Sequence, residues 1–221
     1  LREVTQTVAE TLASVGADLA GGHSMMADEL SLGLAVTGLP DGNPIGLDGA
    51  RPGDVLLLTK PLGTGALLAA EMAGRARGRD VMAMLASMAT PQGDAAAILR
   101  GAHAMTDVTG FGLAGHLSNI CRASDVGAEI DLASLPLLDG AEAAVRAGHL
   151  SVLQPSNLRA APVEGATGPG RLLLHDPQTA GGLLAAVAEA EADAVSAHLQ
   201  SAGHLAARIG RIVEGNGLEA I

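Results

Sequence analysis

The sequence predicts an α/β or α+β fold in which helices cover a mixed sheet. Stretches with apolar residues at helical spacing alternate with short apolar runs, and segments rich in Gly and Pro separate them. The composition agrees, because 48% of the residues are hydrophobic although Trp and Tyr are absent and Phe occurs once. A core built from Leu, Ala, Val, Ile and Met is well filled when helices pack closely on a sheet.

The first part of the chain predicts one helix and two strands. Residues 2–15 carry apolar side chains at helical spacing, and Gly16 is expected to end that helix. Short strands are expected at 17–20 and 30–36. The polar stretch 39–53 is rich in Gly and Pro, so it is the best domain boundary in the chain.

The remainder of the chain predicts alternating strands and helices. A short strand is expected to end at Asp107, and further strands are expected at 54–59, 126–132, 183–187 and 206–213. Helices are expected at 63–77, 80–88, 91–100, 112–123, 138–147 and 188–202. A long connection without regular structure is expected over 148–170, where Gly, Pro and Ser are frequent.

Charge and cysteine content exclude several classes of function. With 24 acidic and 13 basic residues the formal charge is −11, which argues against nucleic acid or an anionic membrane as a partner. No apolar run of about 18 residues is present, so no membrane span is expected. The single cysteine, Cys121, permits no internal disulfide and lies in an apolar stripe typical of a buried thiol. A cytoplasmic location is therefore expected.

The segment from Met105 to His116 is the strongest candidate for a functional site. It places Asp107, two Thr hydroxyls and three glycines where a strand is expected to give way to a helix. The first N–H groups of a helix attract anions, but a bare carboxylate beside them repels phosphate unless a divalent cation lies between. Asp107 therefore indicates a metal–phosphate site. The alternative is that Asp107 caps the helix that follows it.

The same segment also contains the pattern G-x-G-x-x-G, formed by Gly110, Gly112 and Gly115. Glu129 and Asp131 follow about 20 residues later, as in a dinucleotide-binding unit. However, the residues before the loop are not the continuous apolar run of a buried parallel strand. A dinucleotide-binding oxidoreductase domain therefore stays open as an alternative function.

The chain resembles selenophosphate synthetase (selenide, water dikinase), a family of the aminoimidazole-ribonucleotide-synthetase-like ATP-binding superfamily. Five segments carry this resemblance, in the family's order and spacing: 19–24 (LAGGHS), 33–38 (GLAVTG), 56–65 (LLLTKPLGTG), 105–116 (MTDVTGFGLAGH) and 176–184 (DPQTAGGLL). They extend over nearly the whole chain. In the last segment Ala180 stands where the family tends to have Ser, and the role of Asp176–Gly182 is open between ligand contact and a Pro-anchored turn with Thr179 capping a local element.

The resemblance implies two parts. Residues 1–42 are expected to be the remainder of the ATP-binding N-terminal domain, and residues 43–221 the C-terminal domain. The family's catalytic Cys or selenocysteine and its nearby Lys have no counterpart in this sequence. The chain alone is therefore expected to be inactive, and a catalytically silent oligomerisation module is a further alternative.

The resemblance also implies ligands and partners. Asp107 matches a magnesium ligand of the family, and Gly22, His23 and Ser24 match a loop that reaches ATP bound to the other subunit of a homodimer. The activity implied for the full-length protein is that of an ATP-dependent phosphotransferase, which converts ATP, selenide and water to selenophosphate, AMP and phosphate. Mg²⁺ prefers hard oxygen donors and phosphates, as this chemistry requires.

Overall fold

The computed structural model of the protein describes residues 1–40 and 42–221. It divides into two compact units, Leu1–Pro44 and Ile45–Ile221. In the first unit the expected helix is confirmed as α1, Arg2–Ser14. The helix ends where expected, since Gly16 adopts a left-handed φ of 73° that suits glycine.

The two strands expected in the first unit are not formed. Residues 17–20 and 30–36 have no regular secondary structure. A strand is held by hydrogen bonds to a neighbouring strand, and within the described residues no strand pairs with either segment. The large apolar side chains of these segments are consequently exposed, namely those of Leu19, Leu30, Leu32, Leu34 and Val36.

The second unit contains six strands and eight helices within the described residues. The strands are β1 (Val55–Leu58), β2 (Ala104–Asp107), β3 (Gly127–Ile130), β4 (Leu183–Val187), β5 (Ala207–Val213) and β6 (Gly217–Ala220). The helices are α2 (Thr64–Met72), α3 (Gly78–Ala89), α4 (Gly93–Ile98), α5 (Gly112–Ser124), α6 (Ala141–Arg146), α7 (Gln154–Ala160), α8 (Gly168–Leu174) and α9 (Glu189–Ser201). Short 3₁₀ turns follow α4 and β3.

The strands form one mixed sheet in the order β2-β4-β1-β5-β3-β6. All neighbours are antiparallel except β3 and β6, which are parallel. The fold class is thus the expected mixed sheet with helices. Gly210 lies next to a register shift between β1 and β5, and its φ of 154° is one that L side chains rarely adopt.

Helices cover both faces of the sheet. On one face, Leu113, Leu117 and Ile120 of α5 belong to one buried apolar cluster with Leu56 and Leu58 of β1. On the other face, α4 and α9 cover the central strands. A third apolar cluster joins α2, α3, α6 and α8. Because β1 is buried on both sides it is uniformly apolar, which made it easy to predict.

The prediction that residues 148–170 form a long connection without regular structure is wrong in part. It holds α7 and the start of α8, both with a proline in the first turn (Pro155 and Pro169). Proline is tolerated there because the first N–H groups of a helix have no partner within the helix. Strand β6 was also not predicted. It begins at Gly217, directly after Gly215 and Asn216, and glycine and asparagine are typical of turns.

No helix found in residues 1–40 or 42–221 is both long enough and apolar enough to cross a membrane.

Candidate functional site

Asp107 is the last residue of β2 and lies at the end of an edge strand. It is paired with Leu183 of β4, and the next residue, Val108, donates from its N–H to the Gly182 carbonyl at 2.8 Å. The Asp107 side chain is exposed. Within the described ranges its carboxylate has no hydrogen-bond or ion-pair partner. It is therefore free to bind a cation.

Asp107 does not cap the helix that follows, so that alternative is wrong. The residue at the N-cap of α5 is Phe111, and no side chain caps the helix start. The N–H groups of Gly110 and Phe111 donate no hydrogen bond to any part of the chain that the structure describes. A free carboxylate and free N–H groups thus lie in one short loop, which is the combination expected for a cation with a phosphate group.

The backbone of this loop is held by long-range hydrogen bonds. The Thr109 carbonyl accepts from the N–H groups of Gly112 and Gln178, both at 3.0 Å. The Asn157 amide of α7 donates to the Gly110 carbonyl at 2.9 Å and to the His175 carbonyl at 3.1 Å. The loop is thereby tied to the C-terminal motif and to a helix that the sequence did not predict.

Gly112 lets the start of α5 pack closely against the backbone of His175. Its φ is +70°, and a Cβ there would lie 2.8 Å from the His175 carbonyl carbon. Only glycine fits this position without strain.

The sheet topology contradicts the dinucleotide-binding alternative. That function needs a βαβ unit in which two parallel strands flank the helix. Here β2 is antiparallel to β4, its one partner in the described sheet, and β3, which follows α5, lies four positions away in the strand order. The G-x-G-x-x-G pattern is therefore coincidental.

His116, in the second turn of α5, contacts the loop directly. Its Nε2 accepts from the Thr109 N–H at 3.0 Å and lies 3.2 Å from the Thr109 hydroxyl. The imidazole is buried and its centroid lies 5.6 Å from that of the Phe111 ring. Burial lowers the pKa of His116, and the negative charge of Asp107 opposes that shift in part.

The Asp176–Gly182 motif caps a distant helix. Asp176 Oδ2 accepts from the Gly65 N–H at 3.0 Å, and Gln178 Oε1 accepts from the Gly63 and Thr64 N–H groups at 3.0 and 3.2 Å. These are the first N–H groups of α2, which otherwise have no partner in the helix. The Thr179 N–H donates to Thr64 Oγ1 at 2.8 Å, which ties the motif to the same helix start. Within the described residues the Thr179 hydroxyl makes no hydrogen bond that caps a local element.

Burial of Asp176 has a marked electrostatic consequence. Only 1% of this residue is exposed. Desolvation raises its pKa to about 6, although hydrogen bonds from Ala66, Gln178 and Gly65 oppose the shift.

Lys60 contacts the Asp176–Gly182 motif, an interaction that sequence reasoning missed. It follows β1 and is buried, and its Nζ donates to the Ala180 carbonyl at 3.0 Å. Burial lowers the Lys60 pKa. Ala180 has a φ of 49°, a left-handed conformation that is uncommon for residues other than glycine and concentrates at functional sites. The only sequence signal was a lysine two residues after a buried apolar strand.

Gly22, His23 and Ser24 lie in the first unit, in a segment without regular secondary structure. All three residues are exposed. Their expected contact with a nucleotide therefore stays a prediction.

The residues present fit a magnesium site only in part. Within the described residues, no group of three or more His, Cys, Asp or Glu side chains is arranged to hold a metal ion. Asp107 supplies one hard oxygen ligand, and Mg²⁺ is commonly held by one or two carboxylates together with substrate phosphates. The chemistry of Asp107 fits that arrangement.

Comparison with known proteins identifies the class to which this fold and loop belong. The family described as "AIR synthase related protein, C-terminal domain" matches residues 51–221, and the chain therefore belongs to that family. Among curated proteins it is similar to those named selenide, water dikinase. It is 43% identical over 210 residues to the protein of Aeromonas hydrophila subsp. hydrophila, covering 88% of this chain and 60% of that protein.

A second curated relative carries the same name. The chain is 42% identical over 224 residues to the selenide, water dikinase of Pseudomonas aeruginosa, which covers 96% of this chain and 63% of that protein. The chain therefore spans about three fifths of the length of these relatives.

Solved structures share the fold. The structure of tt0281 from Thermus thermophilus gives a TM-score of 0.66 at 23% identity, covering 99% of this chain and 64% of that chain. Thiamine-monophosphate kinase from Stenotrophomonas maltophilia gives 0.60 at 24% identity, covering 80% of this chain and 52% of that chain. At this identity the likeness shows the fold alone.

Proposed function

We propose that the chain is part of a selenophosphate synthetase, which converts ATP, selenide and water to selenophosphate, AMP and phosphate. The observation that carries the proposal is the similarity at 42% identity to a protein named selenide, water dikinase across 96% of this chain. The Asp107 loop supports it, because a free carboxylate beside free N–H groups suits phosphoryl transfer.

Asp107 is proposed to hold Mg²⁺ against phosphate oxygens. When bound, the ion would neutralise charge that develops on the transferred group. The N–H groups of Gly110 and Phe111 would donate to oxygens of the same phosphate, and the hydrogen bonds on Thr109 would keep the loop in one conformation. In a chain with a net charge of −11, such a cation would supply positive charge next to the phosphate groups.

Gly22, His23 and Ser24 are proposed to contact ATP. Two features suit this role: glycine lets the backbone approach a ligand closely, and hydroxyl and imidazole groups donate to phosphate oxygens. We propose that the nucleotide is shared between the subunits of a homodimer. The nucleophile and the catalytic lysine of the reaction are not among residues 1–221 in this proposal.

The coding sequence upstream of Leu1 gives the first test. An in-frame continuation with a codon for Cys or selenocysteine and a nearby Lys supports the proposal. A stop codon followed by a start codon near Leu1 would instead favour the catalytically silent oligomerisation module.

Mutation of Asp107 in the extended protein gives the second test. Asp107→Asn is expected to abolish selenide-dependent AMP formation while the unfolding midpoint stays unchanged. Asp125→Asn is the matched control, because Asp125 is also exposed and its left-handed φ of 54° is one that Asn tolerates. Near-normal turnover of the Asp107→Asn protein would refute the metal role.

A further inference from the structure

The hydrogen bond between Thr109 and His116 identifies the tautomer of the imidazole. A backbone N–H can only donate, so His116 Nε2, at 3.0 Å from the Thr109 nitrogen, must present a lone pair. The ring is therefore neutral and carries its hydrogen on Nδ1. Burial of the ring favours the neutral form.

This bond completes the support of the Thr109 backbone. The Thr109 carbonyl already accepts from Gly112 and Gln178, at 3.0 Å each. The N–H is taken by His116, whose helix is fixed in the core by Leu113 and Leu117, both fully buried. Both backbone polar groups of Thr109, its N–H and its carbonyl, are thus hydrogen-bonded to buried residues.

We infer that His116, as the neutral Nδ1–H tautomer, is a positioning residue that fixes the Thr109 backbone and thereby directs the Asp107 carboxylate toward its cation. It acts through Thr109, because its Nε2 lone pair is occupied and cannot bind the metal or take a proton from substrate. The inference rests on the proposed function only in assigning a cation to Asp107.

Two variants of the 221-residue chain distinguish the effect of the hydrogen-bond acceptor from the effect of the aromatic ring. His116→Phe keeps a ring against Phe111 but removes the acceptor. His116→Gln can place its carbonyl oxygen close to the position of Nε2. Leu199→Ala is the stability control, since Leu199 is fully buried in the separate cluster beneath α9.

The first readout is nuclear magnetic resonance of the loop itself. In the unmodified chain the His116 ring is expected to carry its hydrogen on Nδ1 at neutral pH, and a hydrogen on Nε2 would overturn the inference. Hydrogen exchange of the Thr109 amide is expected to be about tenfold faster in His116→Phe, as loss of one hydrogen bond implies. The Gln variant should restore slow exchange. Leu199→Ala is expected to speed exchange of core amides that open only with the whole unit, while the Thr109 amide, which opens locally, keeps its rate.

The second readout is binding of Mn²⁺ alone, followed by broadening of amide signals around Asp107. His116→Phe is expected to weaken this binding about tenfold, the low end of the effect of removing a partner that orients a ligand. Mn²⁺ binding equal to that of the unmodified chain would overturn the positioning role. If Asp107→Asn also leaves the broadening unchanged, the proposed metal site fails, and the ring tautomer and Thr109 exchange still decide whether His116 fixes the loop.

Discussion

Asp176 Oδ2 accepts a hydrogen bond of 3.0 Å from the backbone N–H of Gly65, although the two residues are 111 positions apart. The interaction places a carboxylate at the N-terminus of α2, where the helix dipole favours negative charge. Gln178 completes the cap, and its own N–H donates to Thr109 in the Asp107 loop. One buried motif therefore connects the start of α2 to the proposed metal loop.

Removal of the Asp176 charge is expected to change how stability depends on pH. Burial raises the pKa of Asp176 from 3.8 to about 6, so the folded state holds this proton more tightly than the unfolded state. The contribution to stability is present below about pH 4 and is lost as pH rises through about 6, an effect of roughly 3 kcal/mol. The free energy of unfolding of Asp176→Asn should not fall in this way as pH rises. Urea unfolding of both proteins between pH 4 and 7.5 measures the difference.

Asp131 provides a control of opposite sign. Hydrogen bonds from Ser134 and Ala133 lower the pKa of this carboxyl, so its contribution to stability is lost as pH falls. The difference in unfolding free energy between the unmodified chain and Asp131→Asn should therefore shrink toward low pH. A constant difference between the unmodified chain and Asp176→Asn across the whole pH range would contradict the shift at Asp176.

Substitution of Gly112 is expected to destabilise the second unit strongly. A Cβ at this left-handed position would meet the backbone of His175 at 2.8 Å, and both strain and overlap should cost about 3 kcal/mol. Gly110→Ala is the matched control, because no atom lies within 4 Å of a Cβ placed there. Thermal unfolding of the two variants should differ clearly, and equal midpoints would show that Gly112 is not required by packing.

The first unit is expected to self-associate or to be cleaved readily. Leu30, Leu32, Leu34 and Val36 are 93%, 64%, 59% and 83% exposed, and so much exposed apolar surface in one short segment favours association. Limited proteolysis should cut within residues 1–40 while residues 54–213 survive, and sizing chromatography should report association. A clean monomer whose first 40 residues resist protease would contradict this expectation.

The isolated chain is expected to form no AMP from ATP in the presence of selenide and Mg²⁺. In the proposed function the nucleophile and the catalytic lysine are outside residues 1–221, and Asp107 alone binds Mg²⁺ weakly because one carboxylate is a poor site for a strongly hydrated ion. Chromatographic detection of AMP with purified chain checks this. Turnover that exceeds a no-protein control and disappears in Asp107→Asn would show that the chain is sufficient for catalysis.

Local patterns in the sequence were enough to predict most of the fold. Strand β1 is a continuous apolar run, α5 has apolar residues at helical spacing, and each keeps its predicted place because the period of a helix or strand is a local property. The loop at Asp107 was predicted for the same reason, since a strand, a glycine-rich turn and a helix follow one another directly.

Local sequence patterns gave wrong predictions in two segments of the chain. Residues 30–36 have the composition of a strand, yet no strand pairs with them in the described chain, and a strand without a neighbour has no ladder to hold it. Helix α7 was not predicted, because the Pro and Ser residues of its segment are also typical of a loop.

The sequence by itself determined the order of strands and helices, the acidic charge and the position of a carboxylate beside a helix start. Only the tertiary structure decided what that carboxylate and its neighbours contact. His116 binds Thr109, and Asp176 binds Gly65, because the folded sheet brings these loops to one end. Hydrogen bonds between residues so far apart depend on the packing of the whole unit, and no local periodicity encodes them.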